Sequence, residues 1–111
     1  AVMGLTKALA VTYASARIRV NALCPGPIAT PMLWGTAKTK EERTARLPAI
    51  LATCPAAHYA SADDVAQAAL FLASDESAFV NGVGLAVDGA KAAGIMPIDR
   101  YRLDFPVTAE P

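Results

Sequence analysis

The feature that most constrains this chain is the run Ile18-Arg19-Val20-Asn21-Ala22-Leu23-Cys24, which stops abruptly at Pro25-Gly26-Pro27. Ile18, Val20, Ala22 and Cys24 alternate with Arg19, Asn21 and Leu23, a period of two that predicts a strand. Prolines cannot donate to a ladder, so the strand must end there, in a rigid loop. Ahead of it, Val2, Leu5, Leu9 and Tyr13 recur at helical steps among alanines, which predicts a helix to about Ala16. It starts as if already under way, without an initiator methionine or a Ser, Thr, Asp or Asn to cap it.

Beyond the loop, Thr30-Pro31-Met32-Leu33-Trp34 and the charged stretch Lys38 to Arg46 read as short helices with a mobile charged rim. Ser61-Ala62-Asp63-Asp64 sets a cap hydroxyl ahead of acidic residues, and Val65, Ala68, Ala69 and Leu72 follow at helical spacing, so a helix is expected over 63–74. Ser74 to Gly82 reads as a loop, Val83 to Val87 as a second apolar strand and Asp88-Gly89 as a turn. Helix, strand, helical crossover, strand is an α/β order whose strands pair in parallel through a right-handed connection. Two strands do not complete a buried parallel sheet, so a strand edge is expected to need an upstream segment or a partner.

Composition excludes several classes of function. Of 111 residues, 54% are apolar and 18% charged, well away from the signature of disorder. Ten basic residues balance ten acidic ones, so no net field favours a nucleic acid or an anionic membrane. The longest uncharged stretch, Val20 to Ala37, contains Pro25, Pro27 and Pro31 and cannot form a spanning helix. Cys24 and Cys54, with the single His58, cannot complete a zinc set; they read as two small buried hydrophobes in a reducing cytosol. No secretory leader opens the chain, and a cytoplasmic location is expected.

The Pro25–Pro31 loop carries the chemistry. In open α/β sheets ligands bind beyond the carboxyl ends of the strands, where this loop lies. Backbone groups of Ile28 and Ala29, outside the sheet, are free to bind an amide, and the Thr30 hydroxyl can donate to a phosphate or carboxamide. An ordinary strand-terminating turn is the other meaning these residues allow.

Gly4-Leu5-Thr6-Lys7-Ala8-Leu9-Ala10, Ile18-Arg19-Val20-Asn21-Ala22, Pro25-Gly26-Pro27-Ile28-Ala29-Thr30, Asp64-Val65-Ala66 to Phe71-Leu72-Ala73-Ser74, and Asn81-Gly82 to Val87-Asp88-Gly89 occur in series. Together they resemble the carboxyl-terminal half of a short-chain dehydrogenase/reductase over residues 1–90, leaving 91–111 as a tail. The resemblance implies the C-terminal portion of a Rossmann-like doubly wound parallel sheet and a hydride transfer between NAD or NADP and a small carbonyl or alcohol substrate. It makes Pro25 and Gly26 the shapers of a nicotinamide-side loop. It gives Ile28 main-chain bonds to the carboxamide, and Thr30 a hydroxyl bond to the carboxamide or pyrophosphate. Met32 to about Pro55 becomes a substrate-side flap, with apolar Met32, Leu33 and Trp34 suggesting a partly hydrophobic pocket.

The departures from the family pattern are equally specific. Its phosphate-cradling G-x-x-x-G-x-G loop is missing, since Gly82-Val83-Gly84 leads into a strand and precedes no helix. Its catalytic tyrosine has a lysine four residues on, but Tyr13 is followed by Arg17, Tyr59 by Asp63 and Tyr101 by Phe105. No catalytic residue is therefore expected here. His58 reads as a surface residue, and the serines lack a histidine and acid for a hydrolase triad. Two functions stay open: the carboxyl-terminal half of an oxidoreductase that needs its amino-terminal half, or a non-catalytic fragment working as an interaction or homo-oligomerisation module.

Overall fold

A computed structural model describes residues 1–94. Within them the order is α1 (Val2–Tyr13), β1 (Ala22–Pro25), α2 (Pro31–Trp34), α3 (Lys40–Leu51), α4 (Ala62–Ala73) and β2 (Gly84–Val87). One-turn 3₁₀ segments follow α1 at Ala14–Ala16 and α4 at Asp75–Ser77. The chain divides into two compact units, Ala1–Cys24 with Asp63–Val87, and Pro25–Ala62 with the segment from Asp88 onward. The expected tail from Ile95 to Pro111 lies outside the described residues.

In the first unit, α1 has no side-chain cap at Ala1, as its sequence predicts. The Thr6 and Thr12 hydroxyls donate back to the carbonyls of Val2 and Ala8 at 2.9 and 2.8 Å, so neither leaves an unpaired polar group. The helix tightens into its 3₁₀ turn and ends at Arg17, whose φ of 59° is a left-handed conformation that a glycine would adopt more easily.

The α/β expectation holds: β1 and β2 form one two-stranded parallel sheet. The first strand is shorter than expected, starting at Ala22 rather than Ile18. Side chains take over where the ladder should begin. Asn81 Oδ1 accepts from the Val20 N–H at 2.8 Å, and its Nδ2 donates to the Ala10 carbonyl at 3.3 Å. Asn21 reciprocates, its Oδ1 accepting from the Val83 N–H at 3.0 Å and its Nδ2 donating to the Val80 carbonyl at 2.9 Å. Arg19 donates to the carbonyls of Ser74 (3.1 Å) and Val80 (3.3 Å), closing the turn after α4. Arg19, Asn21 and Asn81 thus fix the register of the two strands by clasping the backbone that leads into them.

The predicted helix over 63–74 is α4, one residue earlier, with Asp63 and Asp64 in its first turn and Val65, Ala68 and Leu72 half-buried. Ser77 beyond it is fully buried, its hydroxyl shared between the carbonyls of Leu72 and Ser74. Side chains buried in this unit are small, Thr6, Ala10, Ala22 and Ser77, while Val2, Leu5, Val11, Leu70 and Phe79 stand exposed. No third strand covers the sheet among the described residues.

The second unit holds α2, α3 and the turns that follow. Thr39 caps α3 with a complete capping box: its side chain accepts from the Glu42 N–H at 3.2 Å, and Glu42 Oε2 accepts from the N–H groups of Thr39 (3.1 Å) and Lys38 (2.6 Å). Those two amides, reinforced by the Arg46 charge, hold the Glu42 carboxyl below the usual glutamate range. The charged segment, expected as short helices, thus lies largely within one capped helix, Lys40–Leu51. Pro48 sits inside α3, where it removes one helical donor.

Candidate functional site

The loop that leaves β1 is shaped by close approach to Asp88. A Cβ on Gly26 would lie 2.6 Å from the Asp88 Cα and 2.9 Å from its carbonyl oxygen, so only glycine lets the two backbones pass. Asp88 is itself tied down, its carboxylate accepting from the Ala92 N–H at 2.9 Å and its carbonyl from the Lys91 N–H at 3.2 Å. Cys54, buried to 1% exposure, points its Sγ at the carbonyls of His58, Asp88 and Gly89, at 3.5, 3.6 and 3.8 Å. Gly89 has a φ of 61° and space for no side chain, since a Cβ would sit 2.8 Å from that sulfur.

Two residues on, the loop pairs with a distant segment. Ile28 and Ala60 form a parallel bridge, in which the Ala29 N–H donates to the Ala60 carbonyl (2.7 Å) and the Ala60 N–H to the Pro27 carbonyl (3.0 Å). This corrects the expectation that Ala29 is free: its amide is committed. Ile28 is different. Its carbonyl accepts from the Thr30 N–H at 2.7 Å, but its own N–H has no hydrogen-bond partner among the described residues. Thr30 is the N-cap of α2, yet its hydroxyl makes no capping bond and donates instead to the Ile28 carbonyl at 3.4 Å. Of the four predicted residues, Pro25 ends β1 and Gly26 lies where no Cβ fits, the Ile28 N–H has no partner among the described residues, and the Thr30 hydroxyl donates to the Ile28 carbonyl.

The residues expected to form a flap separate. Met32 is 91% exposed, whereas Trp34 is 8% exposed, edge-on against Tyr59 with centroids 5.5 Å apart. Trp34 is thus packed within its own unit, not exposed as the pocket lining its apolar character suggests. The Arg43 guanidinium lies over its ring at 5.9 Å. Arg46 Nη1 donates to the Trp34 carbonyl and Nη2 to the Thr36 hydroxyl, both at 2.7 Å. Sequence spacing missed this group because Trp34, Arg46 and Tyr59 share no local period.

His58 is exposed, with Nδ1 2.8 Å from the Ala56 carbonyl. Tyr13 ends α1 in the first unit, and Tyr59 packs on Trp34. Cys24 and Cys54 are free thiols, but only Cys54 is buried; Cys24 is exposed at the end of β1, contrary to the pair of buried hydrophobes expected. Among the described residues no three His, Cys, Asp or Glu side chains come together to hold a metal, and no helix is long and apolar enough to cross a membrane.

Parallel strands joined by a helical crossover, with a Pro-Gly loop at the carboxyl end of the first, define an α/β protein of the open-sheet class. Known proteins narrow this. Residues 1–90 match the family model described as enoyl-(acyl carrier protein) reductase. The chain is 43% identical over 93 residues to 2-(R)-hydroxypropyl-CoM dehydrogenase of Xanthobacter autotrophicus, a match covering 84% of this chain and 36% of that protein. It is 42% identical over 91 residues to the oxidoreductase UcpA of Escherichia coli, covering 80% of this chain and 35% of UcpA. An NADP-bound structure from Agrobacterium tumefaciens, provisionally assigned as a 2-deoxy-d-gluconate 3-dehydrogenase, superimposes with a TM-score of 0.70 at 40% identity, covering 84% of this chain and 36% of that one. The chain belongs to the short-chain dehydrogenase/reductase family, as part of a Rossmann fold, and spans little more than a third of the length of these relatives.

Proposed function

We propose that this chain supplies the nicotinamide-side loop and substrate flap of an NAD- or NADP-dependent oxidoreductase acting on a small carbonyl or alcohol. The observation that supports this most directly is the Ile28 N–H, without a partner among the described residues, close in sequence to the Thr30 hydroxyl on a loop at the carboxyl end of β1. An amide donor and a hydroxyl so placed fit a nicotinamide carboxamide, which offers one acceptor oxygen and an NH₂ group. When bound, the dinucleotide supplies or accepts the hydride. Ile28 and Thr30 orient its ring, Gly26 and Asp88 hold the loop that carries them, and the flap screens the reacting atoms from water.

Proton transfer falls to residues outside this sequence, which has no Tyr-x-x-x-Lys. Exposure of Val2, Leu5, Val11 and Phe79 favours coverage of the first unit by further protein, from the rest of the enzyme or from a second subunit in the cytoplasm.

The test places residues 1–90 in the segment they match within UcpA and measures NADH and NADPH binding by fluorescence. The fused protein is expected to bind. Thr30→Val should weaken binding by about tenfold, as should Ile28→Pro, which deletes an amide proton without a partner among the described residues. A folded fusion that binds equally well with both changes refutes the assignment.

A further inference from the structure

The flap and the nicotinamide-side loop are joined in a closed circuit. Ile28 pairs with Ala60; the preceding residue, Tyr59, sets its ring edge-on against Trp34; and Trp34 ends the helix whose N-cap is Thr30. A helix of four residues makes too few internal bonds to persist unaided. What fixes this one comes from α3. Arg46 takes the terminal Trp34 carbonyl with one nitrogen and the Thr36 hydroxyl with the other, and Arg43 lies over the indole. Gly35 turns the chain between these two anchors at a φ of 57°, and a Cβ there would stand 3.0 Å from Arg46 Nη1. The planar fork of a guanidinium can hold both acceptors in fixed directions, which an ammonium cannot.

We propose that Arg46 is a positioning residue: acting through Trp34 and Tyr59, it holds the Ile28–Thr30 segment in the geometry that presents the Ile28 amide and the Thr30 hydroxyl. Its meaning for ligand binding rests on the nicotinamide-side assignment of that segment. The coupling itself is independent of any ligand.

The circuit provides its own reporters. Trp34 is the only tryptophan in the sequence, so acrylamide quenching of its emission reads release of the indole. The Ala29 and Ala60 amides, bonded across the bridge, read opening of the loop by NMR-detected hydrogen exchange. In the 111-residue chain, Arg46→Ala is expected to raise Trp34 quenching and to speed exchange at Ala29 and Ala60 by about tenfold, leaving the α4 amides unchanged. Arg46→Lys should behave like the alanine variant, because charge without the fork does not bridge the two acceptors. Unchanged exchange at Ala29 and Ala60 once Trp34 is released overturns the proposal, as does full rescue by lysine. Should Arg46→Ala speed exchange throughout, α4 included, Thr36→Val, which removes one of the two anchors, decides by the same comparison. Because no dinucleotide enters this measurement, its failure leaves the nicotinamide assignment standing. A fusion that binds no cofactor likewise leaves the coupling standing.

Discussion

Replacing Gly26 with alanine sets a methyl group against main chain that cannot step aside. The new Cβ would lie 2.6, 2.8 and 2.9 Å from the Asp88 Cα, Cβ and carbonyl oxygen, none of them the far end of a flexible side chain. Restoring an ordinary contact of about 3.4 Å from 2.6 Å requires the backbones to part by about 0.8 Å. Overpacking of this kind costs about 1–3 kcal/mol, and the upper end applies where no rotamer can relieve it. Alanine also narrows the unfolded ensemble, which returns about 0.4–1 kcal/mol, so the net loss is about 2 kcal/mol. With a urea dependence of about 2 kcal/mol per molar, the unfolding midpoint should fall by about 1 M. Gly4 in α1 is the internal control: a Cβ there meets nothing within 4 Å, so Gly4→Ala should gain about 0.5–1 kcal/mol from helix propensity. Equal midpoints for Gly26→Ala and the parent chain would refute the close-approach argument. A displaced loop would also misplace the Ile28 amide, so dinucleotide binding by the fused protein should weaken more than the stability loss alone explains.

The α3 cap is sensitive to acid. The Glu42 carboxyl titrates below its unfolded range because it accepts the Lys38 and Thr39 amides and faces Arg46, so its contribution is full above about pH 4.3 and disappears as the pH falls through the lowered folded value. Helical circular dichroism should decline over that window in the parent chain and not in Glu42→Gln. Thr39→Ala should cost about 1 kcal/mol in urea unfolding at neutral pH. Arg19→Ala should cost about 1.5–3 kcal/mol by the same measurement, since it removes charged donors from the carbonyls of Ser74 and Val80. A thiol reagent should label Cys24 rapidly in the native chain and Cys54 only on unfolding, giving one fast thiol and one slow one.

Legibility of the fold followed the range of the interactions. The apolar spacing of α4 and the acidic residues of its first turn are local signals, and that helix appears within one residue of its expected place. The start of β1 was not legible because alternation reports which side chains share a face, whereas here Asn21 and Asn81, sixty positions apart, replace backbone partners with side-chain ones. At the site, prolines and glycine marked the end of the strand, and the Ile28 N–H has no partner among the described residues. Ala29 lost its own to Ala60, which no local pattern links to it. Trp34 shows the same limit: an indole after a proline reads as a pocket wall until Tyr59 and Arg46 arrive from later in the chain to enclose it.

The clasp formed by Asn81 also governs how the polypeptide ages. Asn-Gly is the dipeptide most prone to spontaneous deamidation, because an unhindered glycine nitrogen can attack the preceding amide carbon and close a succinimide. Here the Gly82 nitrogen is engaged with the Val20 carbonyl at 2.9 Å, and both ends of the Asn81 amide are held by other backbone groups. Ring closure would require all three bonds to release together, so folded molecules should keep their asparagine while unfolded ones accumulate aspartate and isoaspartate. Each conversion removes the donor to Ala10 and adds a negative charge beside a carbonyl oxygen, which would turn transient unfolding into permanent chemical damage.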